Sequence, residues 1–157
     1  MGVAGCGKST VGAALAENLG ATYLDGDDLH PPENIAKMSS GQPLNDDDRA
    51  PWLDKVGTTL RDHGGTILIG CSALKRAYRD RILSAAGEPV AFLHLAGTRS
   101  VIEARMGART GHFMPLALLD SQFSTLELLQ PDEPGIAVDI NQSLDAVVAE
   151  LADRLPQ

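Results

Sequence analysis

Gly2-Val3-Ala4-Gly5-Cys6-Gly7-Lys8-Ser9 completes a G-x-x-x-x-G-K-[ST] spacing, a pattern built to hold phosphate. Its glycines let the backbone curl until successive N–H groups aim at phosphate oxygens, beside the positive end of a helix. The cradle comprises Gly2, Val3, Ala4, Gly5, Cys6, Gly7, Lys8, Ser9 and Thr10. Lys8 would reach the β- and γ-phosphates, and the Ser9 hydroxyl would ligate Mg²⁺. The expected ligand is a nucleoside triphosphate, ATP first among them.

What is done with the phosphate depends on the nearby acids. Many proteins with this loop place an acid at the end of a later strand to help hold the metal, but here residues 66–71 end in Cys71-Ser72. "LDGDDLH" (24–30) can supply it instead. Asp25 would reach Mg²⁺ through water, and Asp27 could face a substrate hydroxyl and accept its proton. Alone, Asp-Gly-Asp reads as a solvated turn; beside a phosphate loop without its usual acid, it reads as chemistry. Hydrolysis needs only an oriented water, so a base here points to a bound alcohol.

Basic residues are few and their positions matter. Arg49 follows three aspartates, and Lys75 and Arg79 stand four apart just beyond a strand's C-terminal end, where open α/β sheets bind ligands. Such a pair would grip an anionic acceptor, with an exposed helix face as the equal alternative; Arg76 faces solvent in the same geometry. Arg105 and Arg109 form a second such pair running into Thr110-Gly111-His112-Phe113. A helix ending in that loop could close over phosphates, where arginines accelerate transfer by roughly 10³–10⁵; surface arginines are the alternative. His30 and His112 lie in the motif loops and could hydrogen-bond substrate, whereas His94 reads as structural and His63 as a helix end.

The elements that must position these residues alternate. Helical spacing marks Val11 to Leu19, a helix after Pro31-Pro32 carrying Ile35 and Met38, one from the aspartates to about His63, and one through Leu74 to Ala85. Further helices are expected over about 98–109, 116–129 and 144–155, the last with Ser143 as a cap. Short apolar runs at 21–25, 66–71, 90–96 and 136–140 read as strands. Strand–helix alternation predicts one α/β domain over 1–157, a parallel sheet covered on both faces, with a lid near 105–125.

Bulk properties narrow the partners. The chain of 157 residues is 43% hydrophobic and carries a net charge of −8 without a basic tail, which argues against nucleic acid or an anionic membrane surface. Two cysteines, Cys6 and Cys71, have no zinc-like spacing, and no signal or spanning segment stands out. A reduced, cytoplasmic protein is the natural expectation.

The order of "GVAGCGKS", "LDGDDLHPPENIAKMSSGQPLNDDDRAPWL", "CSALKRAYRD", "RTGHFMP" and "QFSTLELLQPDEPG" resembles the small P-loop gluconokinases of bacteria and eukaryotes. The resemblance runs from residue 1 almost to the C-terminus. It implies ATP- and Mg²⁺-dependent phosphorylation of D-gluconate at its 6-hydroxyl by a cytosolic homodimer. Carried over by position, Lys8 and Ser9 serve ATP and metal, and Asp27 is the base. Arg49, Lys75 and Arg79 hold gluconate, while Arg105 and Arg109 belong to the lid. A related small-acceptor kinase, such as one using shikimate, fits "PLNDDDR" and "CSALK" less well. A nucleotide-binding regulatory module would have no use for Asp27 and the Arg105/Arg109 pair.

One strand is wanting. Such loops follow a central strand, yet only Met1 precedes Gly2. Relatives of this kind commonly carry a methionine there, at the strand's end. The expectation is therefore that the chain starts at an internal methionine, with a β-rich apolar segment upstream in the natural polypeptide. The alternative is a sheet closed around the gap or completed by a partner's strand.

Overall fold

The computed structural model describes residues 1–107 and 116–155. Helix α1 (Lys8–Leu19) follows the phosphate loop and stops at Gly20, whose φ of 65° turns the chain back into β1 (Thr22–Asp25). A 3₁₀ turn (Gly26–Leu29) leads to α2 (Pro32–Ser39), with proline in its first turn, where no amide partner is required. The aspartates do start a helix. In α3 (Asp46–Asp62), the Asn45 side chain accepts from the Asp48 amide while the Asp48 carboxylate accepts from the Asn45 amide, and acids in the first turn suit its positive end.

Then come β2 (Ile67–Gly70), α4 (Arg76–Ala86), β3 (Phe92–Ala96) and α5 (Arg99–Gly107). After residue 115 follow α6 (Leu116–Thr125), β4 (Gly135–Asp139) and α7 (Leu144–Arg154). Ser143 caps α7 by accepting from the Ala146 amide, as its position predicts. Helix α6 ends at Thr125, earlier than its spacing suggests. The next segment is pulled onto the start of α4: the Glu127 amide donates to the Leu74 carbonyl, and the Glu127 carboxylate accepts from the Arg76 amide.

Strand β1 pairs in parallel with β2, Thr22 opposite Ile67 through Asp25 opposite Gly70. Strand β3 pairs in parallel with β4, Phe92 opposite Gly135 through Ala96 opposite Asp139. Among the described residues, no pairing joins β2 to β3. Between them lies a cavity of about 360 Å³ lined by Ile67, Leu68 and Ile69 on one side and Phe92, Leu93 and Leu95 on the other. Met1 plugs one end. Its amino group donates to the Leu93 carbonyl at 2.6 Å, its carbonyl accepts from the Leu95 amide at 3.0 Å, and the Gly2 amide donates to the Ser72 carbonyl at 3.2 Å. A central parallel strand makes bonds of this kind to both neighbours, so the sheet has not closed around the gap. Burial pushes the Met1 amine down to about 6.

Two apolar cores flank the strands. Val11 and Leu15 of α1 pack with Leu95, Val138, Val147 and Leu151, while Trp52, Leu53 and Val56 of α3 pack with Tyr78, Ile82 and Phe92. Helices α3 and α4 approach closely at Gly57, where a Cβ would lie 2.6 Å from the Ile82 carbonyl. His94 is buried in β3, and burial, reinforced by the amino terminus and Arg79, lowers it to about 4. That shift favours the neutral ring at pH 7. Among the described residues, no helix is long and apolar enough to cross a membrane.

Candidate active site

The phosphate loop curls as its glycines require, with φ of 81° at Gly5 and 98° at Gly7. Gly7 caps α1 without a side chain, so the first-turn N–H groups remain available to an anion. Lys8 lies back over the loop, its Nζ donating to the Gly2 and Val3 carbonyls at 3.0 and 3.2 Å. A cavity of about 300 Å³ opens beside it, joining Lys8 and Ser9 to Asp25 and Asp27, with Tyr23, Ser72 and Gln122 on its rim. The structure thus brings the cradle and both acids to one place.

The acids are held by α3 and β2. Asp25 ends β1 and accepts from the Asp27 amide at 3.0 Å, opening the 3₁₀ turn. Trp52 Nε1 donates to the Gly26 carbonyl at 2.8 Å, fixing the turn from α3. Gly26 is obligatory for packing, because a Cβ there would fall 2.4 Å from the Gly70 carbonyl. Burial, together with the charge of Asp25, raises the Asp27 carboxyl above its ordinary range, which moves it toward the strength a proton acceptor needs near neutral pH. His30 stacks on Trp52 with ring centroids 4.2 Å apart, and its Nδ1 lies 3.2 Å from Asn34 Nδ2. Burial lowers the His30 pKa, against the pull of Asp27.

Arg49 and Lys75 meet around Tyr78. The Tyr78 hydroxyl donates to Asp46 at 2.5 Å and accepts from Arg49 at 3.4 Å, while Lys75 lies 3.6 Å from Asp46. Both cations also sit over the Tyr78 ring, at 5.6 and 5.4 Å. Arg49 lies close enough to His30 for its charge to oppose protonation there, so this cationic cluster borders the acidic turn.

Two expected site residues are elsewhere. Arg79 does not face an acceptor: it is fully buried, donating to Glu133 at 2.7 and 3.1 Å and to the Ala73 and Leu74 carbonyls at 3.0 and 3.3 Å. Helix α4 starts at Arg76, leaving Lys75 as its cap rather than a helical neighbour of Arg79. Arg79 instead braces the turn after β2, where Ala73 has a φ of 45°. Arg105 donates to the Ile140 and Gln142 carbonyls beyond β4 and does not line the phosphate cavity. Arg109 and His112 lie outside the described residues. Arg76 is partly exposed, paired with Asp132 at 2.6 Å.

Sequence reasoning missed the groups that hold others in place. Tyr78, Asp46, Trp52 and Glu133 act through contacts 26 to 54 residues apart in sequence, which no local spacing signals. It also missed Gln122, which accepts from the Ala4 amide at 2.5 Å, and Tyr23, whose buried hydroxyl has no partner among the described residues.

The site fits a nucleotide phosphate and its metal. The uncapped first-turn amides of α1 and the Lys8 side chain suit the phosphates. Ser9 and Asp25 offer oxygen donors, as Mg²⁺ prefers when phosphates and water complete its shell.

A family model described as "Shikimate kinase" matches residues 4–132. The thermosensitive gluconokinase of Escherichia coli (strain K12) is 48% identical over 154 residues, covering 96% of this chain and 82% of that protein. The gluconokinase of Gluconobacter oxydans (strain 621H) is 46% identical, with 96% and 86% covered. The crystal structure of a gluconokinase from Sinorhizobium meliloti 1021 superposes with a TM-score of 0.88 at 50% identity, covering 97% of this chain and 87% of that one.

Proposed function

The chain belongs to the gluconokinase family, with a P-loop kinase fold, and we propose that it phosphorylates D-gluconate at the 6-hydroxyl, giving 6-phospho-D-gluconate and ADP. The observation that carries this reading, beside the family, is the single cavity holding Lys8, Ser9, Asp25 and Asp27. Asp27 takes the proton as the 6-oxygen attacks the γ-phosphorus. The bond to the oxygen bridging the β- and γ-phosphorus breaks, and ADP leaves with its electron pair. Loop amides and Lys8 bind the phosphates and stabilise the charge of the leaving group. Mg²⁺, when bound, neutralises phosphate charge; Ser9 directly and Asp25 through water would hold it.

For the acceptor, Arg49 and Lys75 supply positive charge for the carboxylate, and His30 a hydrogen-bonding partner for the polyol. Arg79 contributes by bracing this wall rather than by contact. Cytoplasmic residence, supported by two free, buried cysteines, and the homodimer implied by the resemblance belong to the same proposal. A coupled assay of ATP consumption, with 6-phosphogluconate identified as product, tests the activity. Turnover with D-gluconate is expected, with shikimate and nucleoside monophosphates inert; equal turnover of shikimate would overturn it.

A further inference from the structure

Of the groups touching the phosphate loop, Gln122 is neither the proposed base nor one of the proposed metal-holding groups. It sits in α6, within the "QFSTLELLQPDEPG" block. A backbone N–H meets only an acceptor, so the Ala4 amide fixes which end of the carboxamide faces the loop: Oε1 is committed, at 2.5 Å. Gln122 Nε2, with two N–H groups, has no partner among the described residues, although the side chain lines the cavity shared by Lys8, Ser9 and Asp27. Glutamine is neutral, so this donor adds nothing to the site's charge and acts by direction alone.

The side chain is also held from behind. The Gln122 carbonyl accepts from the Leu126 amide, the next residue's amide is bonded to Leu74, and Glu133 farther on grips Arg79. Leu119, one turn before Gln122, is fully buried. The clamp to the start of α4 therefore fixes α6 against the loop, and a donor fixed in advance costs no reorganisation when charge develops.

We propose that Gln122 is a further catalytic residue for phosphoryl transfer: it anchors to the Ala4 amide through Oε1 and presents Nε2 to the equatorial oxygens of the γ-phosphoryl group. This rests on the kinase reading, and wild-type turnover of D-gluconate checks that reading separately. Gln122→Met keeps length and neutrality but removes both hydrogen bonds. The expected result is a kcat about tenfold lower or more, the usual scale for a hydrogen bond to a charged group. Affinity for ADP with aluminium fluoride, a mimic of the transferring group, should fall by a similar factor, with the melting temperature and KM for ATP nearly unchanged. Gln122→Glu keeps the acceptor and loses the donors until its carboxyl is protonated. Its kcat relative to wild type should therefore rise as pH falls.

A merely structural tie predicts otherwise. Q122E would then match wild type at every pH, and Q122M would melt lower. Either of those results overturns the proposal. So does Q122M with unchanged kcat and tighter binding of inorganic phosphate, which would make Gln122 only a competitor of phosphate for the loop.

Discussion

The proposed role of Asp27 as base rests on surroundings that make it a poor anion. Burial and the nearby Asp25 raise its pKa, so its proton affinity is higher in the folded chain than in the unfolded one. Two consequences share a sign. The ionised base costs stability, and that cost is relieved as pH falls through the raised pKa; activity, which needs the ionised form, is lost over the same range. The acid limb of kcat should accordingly lie above the ordinary aspartate range of about 4. Asp27→Asn should lower kcat by about 10²–10⁴-fold while leaving the melting temperature equal or higher and ATP affinity nearly intact. Near-normal kcat in steady-state assays would reduce Asp27 to a turn residue. The placement of Asp27 beside the loop was legible in the sequence because the signals are local: fixed glycine spacing and two acids one turn apart. The supports were not. Trp52 is bonded to Gly26 and Glu133 to Arg79 across the fold, and such pairs acquire meaning only once helices are placed.

Helix α4 shows how an element's start decides the fate of its side chains. Its residues repeat at helical spacing from Leu74, which put Lys75 and Arg79 on one face. The helix begins later, at Arg76, because the turn after β2 passes through left-handed Ala73. Lys75 stays at the rim near Asp46, and Arg79 folds inward onto Glu133. The two variants should therefore behave differently. Lys75→Ala should raise KM for gluconate about tenfold, the scale of a lost charge-assisted hydrogen bond, with little change in melting. Arg79→Met leaves the Glu133 carboxylate, which is 3% exposed, buried without its partner. Breaking such a pair costs about 3–5 kcal/mol, or on the order of 10 °C in a chain this size. Thermal melts and substrate kinetics on both variants check this. An Arg79→Met protein that melts normally but loses only gluconate affinity would return Arg79 to the acceptor site. The other element boundaries were readable to within a few residues, since Gly20, Asn45 and Ser143 end or begin helices through local capping.

At the scale of the whole molecule, an apolar slot separates β2 from β3. A slot in the sheet was legible from the loop's position, because a parallel sheet of this kind places such a loop after a central strand. The open cavity and the bonds of Met1 to the β3 edge bear out the slot itself. The buried Met1 amine makes the slot measurable through pH. Its pKa falls to about 6 from the ordinary 8.0, so between those values the unfolded chain binds a proton that the folded chain has released. Stability therefore rises with pH across that window, and the loss is complete below it. Extending the chain before Met1 with about five β-branched apolar residues, the usual length of a strand, converts the amine to an amide that makes the same bond to Leu93 without charge. Each side chain buried in the slot adds roughly 1.5–3 kcal/mol, against a typical net stability of about 5–15 kcal/mol. The extended chain should melt well above the present one, by about 10 °C or more, and should lose the amine's share of the pH slope between 6 and 8. Calorimetry of both chains at pH 6 and pH 8 reads both effects at once. Equal melts with equal slopes would mean that the slot does not take a strand.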